Sequence, residues 1–391
     1  MKRFMVLIVG LAFLCSTLAV EANAPKREKG KKVELAAAEP AAAPSEQKAE
    51  KSWQNKWETV VKEAKKESKV VVYAGAVSPT LREAISKAVR SKFGVMIEFV
   101  AGRGAAIAQK LIVERRAGLY LADIVIMGAD SALTLKENGV FAPLAPSFIL
   151  PEVTDPKSWP NSTIPYFDRE HLLFPLTVGY QSYVIVNTNL VKEGEINSYL
   201  NLLDPKWKGK VVLSDPNVGG GSGINWATFM LKHALGLEEG KKYLQQLVSQ
   251  DLAVIQDNRL QVEGTARGKW AIAIGPTVAL VSEFIKAGAP IKWLRMKEGG
   301  SLAPTASILG MADKAANPNA ATVMVNWLLS NNGQTVFSSA YGQPATRLGI
   351  ASKGIEPGRV ALPKEKTYLV NEDFVIFSKD VSIKITREVF K

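Results

Sequence analysis

The chain between residues 69 and 139 alternates short apolar runs with amphipathic segments, and this alternation constrains the fold more than any other feature. Three runs are rich in valine and isoleucine and too short for a helix: KVVVYA (69–74), VMIEFV (95–100) and ADIVIMG (122–128). Between them, apolar residues recur at helical spacing, and Ser78 with Pro79 forms a typical helix start. Strands that are apolar throughout and alternate with helices predict a parallel sheet covered by helices on both faces.

The loops that follow these strands are the first candidate binding segments, because parallel sheets bind ligands beyond the carboxyl ends of their strands. The candidate residues in these loops are Ala76, Val77, Ser78, Arg103 and Asp130. Arg103 lies between two glycines, and its planar guanidinium suits a carboxylate or phosphate that accepts two hydrogen bonds. A solvated loop arginine is the alternative interpretation of Arg103.

The same pattern of strands and helices returns later in the chain. Its apolar runs are GKVVLSDP (209–216), LAVIQDN (252–258) and WAIAIGP (270–276). Two strands are expected around Gly179 and Tyr180, and a return strand is expected in residues 301–311. We therefore expect an α/β fold of two lobes, each a mostly parallel sheet flanked by helices, with a hinged cleft between them. Lobe 1 would comprise residues 53–179 and 305–391, and lobe 2 residues 180–304.

A glycine-rich loop, NVGGGSG (217–223), precedes a helix in this second half. Ser222, Gly223 and Ile224 lie at the expected helix start, where free backbone N–H groups and the positive end of the helix dipole favour an anion. A flexible loop with a capping serine is the alternative interpretation.

Two further residues are candidates for ligand binding, and each also has a purely structural interpretation. Asn258 opens the helix after LAVIQDN, where it could contact a ligand or simply cap the helix. Tyr180 lies at the expected connection between the lobes, and its ring could face the ligand or the core.

The N-terminal residues have the features of an export signal and a linker. Lys2 and Arg3 precede an apolar stretch that ends in small residues, which is typical of a secretory signal peptide over residues 1–24. The only cysteine, Cys15, leaves lipid anchoring open as an alternative. Residues 25–52 are rich in Ala, Lys, Glu and Pro, so we expect a disordered tether there. The protein is thus expected in the periplasm.

The net charge of +12 restricts the choice of partners. Basic and acidic residues are interleaved, and the folded part has no basic run or aromatic platform of the kind that binds nucleic acid. We therefore expect no nucleic-acid partner, and a positive field that favours anionic ligands.

Several segments carry a resemblance to a known family. They are WETVVKEAKKESKVVVYAG, ADIVIMGADSALTLKENGVFAPL, GYQSYVIVNTNLV, DPKWKGKVVLSDP and NWLLSNNGQTVFSSAYGQPATR, in this order between residues 53 and 347. Together they resemble extracellular solute-binding proteins of ABC importers, and most closely the ferric-ion-binding type. The resemblance implies the two-lobed, hinged type II periplasmic binding protein fold. It also implies that the lobes close around a ligand and that an inner-membrane permease recognises the closed form.

The resemblance further implies where a ferric site would lie. The histidine position of the family falls on Val77, its acid position near Gly128 with Asp130 displaced, and its tyrosine pair on Thr277 and Val278. Fe(III) requires anionic oxygen donors, so we expect no direct metal site. The anion-binding half of the family site carries over better, because the glycine-rich loop stands where the family binds a phosphate-like anion.

We therefore expect a monomeric binding protein without cofactor that holds a small anion such as an organic carboxylate, phosphonate or phosphate ester. Ferric iron bound through a synergistic anion or chelator is the alternative, and a sensor input protein is a further one. An enzyme is the least favoured class, because related enzymes rely on a cysteine and Cys15 lies in the signal. His171 and His233 are far apart and show no metal-ligand spacing.

Overall fold

The computed structural model describes residues 44–75 and 77–391, with side chains from residue 52 onward except at residue 76. The sheets described below all belong to one compact unit, Lys48–Lys391. The expected signal peptide, Cys15 and Ala76 lie outside the described residues.

The helices and strands alternate along most of the described chain. The helices are α1 Pro44–Glu67, α2 Pro79–Phe93, α3 Gly104–Arg116, α4 Ala129–Glu137, α5 Pro151–Thr154, α6 Ser222–Phe229, α7 Leu237–Val248, α8 Asn258–Ala266, α9 Val278–Lys286, α10 Pro318–Leu329, α11 Asn331–Tyr341, α12 Glu372–Phe377 and α13 Ile383–Val389. The strands are β1 Lys69–Gly75, β2 Met96–Gly102, β3 Ile124–Met127, β4 Phe141–Ala142, β5 Leu173–Pro175, β6 Gly179–Gln181, β7 Val184–Asn187, β8 Val211–Ser214, β9 Ala253–Ile255, β10 Ile272–Ile274, β11 Ile291–Trp293, β12 Gly300–Ala303, β13 Ile308–Ala312 and β14 Thr367–Leu369. Among the described residues, no helix combines the length and the apolar character needed to cross a membrane.

Helix α1 changes the expected boundary of the N-terminal tether. The helix begins at Pro44, so the last part of the expected tether (25–52) is helical. Lys, Glu, Gln and Ala dominate this stretch and have high helix propensity, which explains why a composition typical of disorder also supports a helix.

The first sheet has the strand order β2-β1-β3-β13-β4, and β5 also pairs with β13. Strand β1 is parallel to β2 and β3, as the apolar runs predicted, whereas β13 is antiparallel to β3, β4 and β5. Val72 and Tyr73 point to opposite faces of β1, and each contributes to a separate buried core. Both faces of this sheet are therefore covered.

The second sheet has the order β11-β7-β10-β8-β9. Strand β8 is parallel to β9 and β10, while β7 is antiparallel to β10 and β11. Successive residues again face different cores, with Leu213 on one side and Val212 on the other. The second half of the chain thus builds its own covered sheet, and both sheets are mixed rather than purely parallel.

Strands β6 and β12 connect the two sheets and pair with each other. Along the chain, β6 follows β5 of the first sheet and precedes β7 of the second. In the same way, β12 follows β11 of the second sheet and precedes β13 of the first. They are antiparallel, with Tyr180 opposite Leu302, and β14 adds to β12 in parallel. The expected single return strand in residues 301–311 is therefore two strands, one in the connection and one in the first sheet.

The chain after β14 packs against both lobes. Phe374 and Phe390 belong to the core of the second sheet, whereas the neighbouring Val375 belongs to a core of the first. Glu372 Oε1 also lies 2.6 Å from Nζ of Lys136 in α4. Within residues 305–391, which were expected in lobe 1, α10 and α11 contribute to a core of the first sheet. In contrast to that expectation, α12 presents apolar residues to the cores of both sheets, and Ile383 and Val389 of α13 pack against the core of the second sheet.

Candidate functional site

A cavity of about 1100 Å³ lies where the two lobes face each other. Ser222, Asn258 and Thr277 line it from the second lobe, and Thr305 and Tyr341 line it from the first-lobe side. A second cavity of about 630 Å³ continues from the first and shares Gln181, Gly220, Asn225 and Thr305 with it. The connected space is large enough for a small organic ligand.

Helix α6 begins at the wall of this cavity. Its N-cap residue Gly221 is extended, with φ −77° and ψ 167°, and no side chain of the described residues accepts a hydrogen bond from the first turn of the helix. The first N–H groups of a helix have no partner within the helix, so they are available to a ligand here. Ser222 Oγ is 3.4 Å from Ser214 Oγ, the residue that ends β8.

Gly223 explains how the start of α6 lies so close to the end of β8. A Cβ atom at this position would lie 2.1 Å from the carbonyl oxygen of Ser214 and 2.9 Å from the carbonyl carbon of Asp215. Only a glycine allows this approach. Gly223 therefore positions the helix start without lining the cavity itself, while Ile224 is buried and lines the second cavity.

Two further helices also begin at the cavity. Helix α9 follows Thr277, an N-cap residue whose side chain makes no capping hydrogen bond. In α8, Asp257 caps the helix by accepting hydrogen bonds from N–H groups of the first turn, so Asn258 is the first helical residue and does not cap it. Asn258 Oδ1 instead accepts a hydrogen bond of 3.2 Å from Ser214 Oγ.

The residues expected from the first-lobe loops are placed differently. Asp130, in the first turn of α4, lines the second cavity. Val77 is buried, and Ser78 caps α2 by accepting a 3.2 Å hydrogen bond from the Leu81 N–H. Arg103 is the exposed N-cap residue of α3 and is not among the residues that line either cavity.

Tyr180 lies in the core at the connection between the lobes. Its side chain is buried, and the guanidinium of Arg295 lies 4.6 Å from the centre of its ring. Burial and the neighbouring carboxylate of Glu365 raise the pKa of the Tyr180 phenol above its ordinary value. Of the two interpretations of Tyr180, this position favours the core.

Sequence reasoning missed a hydrogen-bonded group on the first-lobe side of the cavity. The phenol oxygen of Tyr341 lies 2.8 Å from Thr305 Oγ1 and accepts a 2.8 Å hydrogen bond from the Ala306 N–H. Gln343 Nε2 donates to Thr305 Oγ1 over 2.8 Å. These contacts hold the hydroxyl, phenol and amide groups in fixed positions at the cavity wall.

Sequence reasoning also missed Arg359, which lines the larger cavity. Its side chain is only 4% exposed, and its Nη1 donates a 3.1 Å hydrogen bond to the carbonyl oxygen of Tyr180. Burial lowers the pKa of this guanidinium, and the nearby Glu356 and Tyr341 oppose that shift. The sequence Pro357-Gly358-Arg359 indicates a turn that carries a basic residue. It follows no strand of the expected sheets, so the rule that ligands bind beyond strand ends does not point to it.

A direct metal site is not visible in the part of the chain that the structure describes. Within those residues, no group of three or more His, Cys, Asp or Glu side chains is arranged to hold a metal ion. Val77 offers no donor at the expected histidine position, and Thr277 offers no phenolate at one of the expected tyrosine positions.

Comparisons with known proteins agree with this architecture. The model of a family described as bacterial extracellular solute-binding protein matches residues 84–357. An uncharacterised protein of Haemophilus influenzae is 26% identical over 317 residues, which are 80% of this chain and 86% of that protein.

Two solved structures illustrate the structural similarity. Ferric iron-binding protein A of Mannheimia haemolytica, in an open conformation, has a TM-score of 0.66 and 17% identity, over 83% of this chain and 98% of that chain. The periplasmic binding protein AfuA of Actinobacillus pleuropneumoniae, with exogenous fructose-6-phosphate bound, has a TM-score of 0.56 and 20% identity, over 82% of this chain and 97% of that chain. At these identities the similarity establishes the fold, which is the type II periplasmic binding protein fold.

Proposed function

Because this chain belongs to the bacterial extracellular solute-binding proteins, we propose that it captures a small anionic solute in the cavity between its lobes. The solute is an organic carboxylate, a phosphonate or a phosphate ester, and it is delivered to the membrane permease of an ABC importer. The protein acts as a periplasmic monomer, with residues 1–24 as its export signal.

The observation that carries the proposal is the start of two uncapped helices at one cavity. In the part of the chain that the structure describes, no side chain accepts a hydrogen bond from the first turn of α6 or α9, and both helices begin at the cavity wall. Each helix start offers free N–H donors and a partial positive charge. An anion in the cavity would satisfy donors that the protein leaves without a side-chain partner, as anions do at helix starts in general.

The other polar groups of the cavity support retention of a solute rather than its conversion. Asn225, Asn258 and Gln343 present amides, and Ser222 and Thr305 present hydroxyls. These groups donate and accept hydrogen bonds from oxygen-rich solutes. Neither Ser222 nor Thr305 is hydrogen-bonded to a histidine or carboxylate of the described residues that would activate it as a nucleophile, whereas Ser282 Oγ at the same cavity donates to a carboxylate oxygen of Glu356.

A phosphate ester is the first solute to test. AfuA of Actinobacillus pleuropneumoniae has the same fold and binds fructose-6-phosphate in its solved structure. A sugar phosphate combines an anionic group for a helix start with hydroxyls for the surrounding amides, which matches the composition of this cavity.

Ferric iron held through a synergistic anion is the second candidate, favoured by the similarity to ferric-binding structures. The two phenols at the cavities are already engaged, Tyr341 with Thr305 and Tyr183 with Ser301 over 2.8 Å each. Titration with ferric citrate distinguishes the candidates. We expect no tyrosinate-to-iron absorption band, whereas a strong band with one iron retained per protein would favour the second candidate.

Mass spectrometry of small molecules released from the purified, denatured protein identifies the solute. Calorimetry with that solute, or with glucose-6-phosphate, citrate and inorganic phosphate, then measures its affinity. We expect an anion to bind, and binding of only neutral solutes would contradict the proposal.

A pair of isosteric substitutions tests the role of charge. Asn225→Asp places a negative charge in α6 at the cavity, where it also suits the helix dipole and should not unfold the helix. We expect anion affinity to fall about tenfold or more, because like charges about 5 Å apart repel by about 1–3 kcal/mol at the dielectric of a protein surface. Asn332→Asp is the matched control. It adds the same charge to the first turn of α11, outside both cavities, and keeps an acceptor for Trp327 Nε1. Equal effects of both substitutions would contradict the proposed location.

A further inference from the structure

Arg359 is a buried cation with fewer partners than its burial requires. Its side chain is 4% exposed, its Nη1 donates to the Tyr180 carbonyl, and its Nη2 has no hydrogen-bond partner among the described residues. No carboxylate oxygen of the described residues lies within 4.0 Å of a guanidinium nitrogen of Arg359, so Arg359 forms no ion pair with them. A buried charge without a partner is costly, so proteins normally pair it or bring a ligand to it.

Arg347 shows what a fully satisfied buried arginine looks like in the same protein. It is 8% exposed, and its Nη1 donates to the carbonyl oxygens of Glu152 and Leu329. Its Nη2 donates to Ser158 Oγ and lies 3.4 Å from a carboxylate oxygen of Glu152. Arg347 lines neither cavity. Burial alone therefore does not leave a guanidinium unpaired in this fold.

The backbone around Arg359 holds its guanidinium at the cavity. A Cβ atom on Gly179 would lie 2.3 Å from Arg359 Nη2 and 2.8 Å from its Cζ, so the guanidinium packs directly on the backbone of β6. The hydrogen bond from Nη1 to Tyr180 fixes its orientation on the same strand. The side chain is thus fixed before any solute enters, which reduces the entropy lost on binding.

The nearby acid does not neutralise Arg359 by direct contact. Glu356 accepts a hydrogen bond from Ser282 Oγ, and both residues line the same cavity as Arg359. Lys286 adds a second positive charge to that cavity wall. An anionic solute would meet two cations and one acid there, together with the uncapped start of α6.

We propose that Arg359 is the side chain that binds the anionic group of the solute, through a guanidinium that lines the cavity and whose charge is balanced by no ion pair with the described residues. This inference rests on the proposed function and names a residue for it. The anionic group is an oxyanion, a phosphate or a carboxylate, because a guanidinium N–H group makes its strongest hydrogen bonds to such oxygens.

Calorimetry of Arg359→Gln, Arg359→Lys and Arg347→Gln with inorganic phosphate and with citrate tests the proposal. We expect Arg359→Gln to weaken binding of at least one of these anions about 30-fold or more, as truncation of a desolvated ion pair does. Arg359→Lys keeps the charge but loses the planar guanidinium, so we expect an intermediate affinity. Arg347→Gln should lower the melting temperature and leave the affinity unchanged.

Unchanged affinity in Arg359→Gln, with Asn225→Asp still weakening binding, would overturn the role of Arg359 and leave the proposed function standing. Absence of anion binding by the unsubstituted protein would overturn both. If Arg359→Gln does not fold, ¹⁵N NMR of the arginine side chains of the unsubstituted protein decides the matter. We expect one slowly exchanging guanidinium resonance to shift on addition of phosphate, and a titration that shifts none would overturn the proposal.

Discussion

Replacing Gly223 with alanine is the most direct test of how the start of α6 is held at the cavity. The new Cβ atom would lie 2.1 Å from the Ser214 carbonyl oxygen, whereas ordinary van der Waals contact begins at 3.4 Å. One backbone segment must therefore move by about 1.3 Å, the difference between these two distances. The atoms in the way all belong to the backbone of Ser214 and Asp215, so no side-chain rotation can relieve the overlap.

The expected effect is a net loss of about 2 kcal/mol in the free energy of unfolding. Alanine favours a helix over glycine by about 1 kcal/mol, which opposes the steric cost. Overpacking typically costs about 1–3 kcal/mol, and the rigid surroundings place this site at or above the upper end of that range. The displaced helix start should also weaken anion binding, because its N–H groups would no longer point to the same position.

Urea denaturation measures the change in stability, and calorimetry with inorganic phosphate measures the change in affinity. Gly219→Ala is a matched control in the same loop, since a Cβ atom there meets nothing within 4 Å. We expect the control to change stability by less than about 1 kcal/mol, and in the stabilising direction if at all. Equal unfolding free energies for Gly223→Ala and the unsubstituted protein would refute the argument that a backbone contact fixes the helix start.

Two further predictions concern charged groups. Lys136→Met should lower the free energy of unfolding by about 3 kcal/mol in urea denaturation, because the buried carboxylates of Asp168, 3.1 Å from the lysine, and Glu372 would lose their cation. Adding Glu372→Gln should recover part of that loss. An unchanged urea midpoint in the Lys136→Met variant would contradict the argument. Burial, and secondarily Lys232, lower the pKa of His233 from 6.5 to about 4. The unfolded chain therefore binds this proton first as the pH falls, so stability should decrease between pH 6.5 and pH 4, by about 1 kcal/mol because solvent screens this half-buried ring. His233→Phe should remove that decrease, and an NMR titration midpoint of His233 near 6.5 would disprove it.

The first three strands were predictable from sequence because each is a continuous apolar run next to a clear helix start. The pairing of β13 was not predictable in the same way. Its partner β3 lies far earlier in the chain, with Ile308 opposite Met127. Nothing in the local pattern of residues 301–311 indicates that the run contains two strands in different sheets, or that the second strand is antiparallel.

The C-terminal helices were misplaced for a related reason. In α12, Phe374 and Val375 are adjacent in sequence but pack into cores of different sheets. Apolar spacing indicates that a residue is buried, but it does not indicate which of two cores receives it.

The residues of the candidate site also differ in how well the local sequence predicts them. Ser222, Asn258 and Thr277 follow strands of the second sheet, and they line the cavity. The rule that ligands bind beyond the carboxyl ends of strands therefore predicts them. Arg359 follows no strand of either main sheet, and its contact with Gly179 joins distant parts of the chain. The roles of all these residues in binding, including that of the exposed Arg103, remain predictions.

The position of β13 within the first sheet has a consequence for the order in which the protein can fold. The strands of the second sheet all come from one continuous stretch, from Val184 to Trp293. The first sheet stays incomplete until residues 308–312 are available, because β13 lies between β3 and β4. During synthesis the strands of the second sheet can therefore pair while β3 still has an unpaired edge, and a chain that stops before Ile308 would expose that edge to pairing with other molecules.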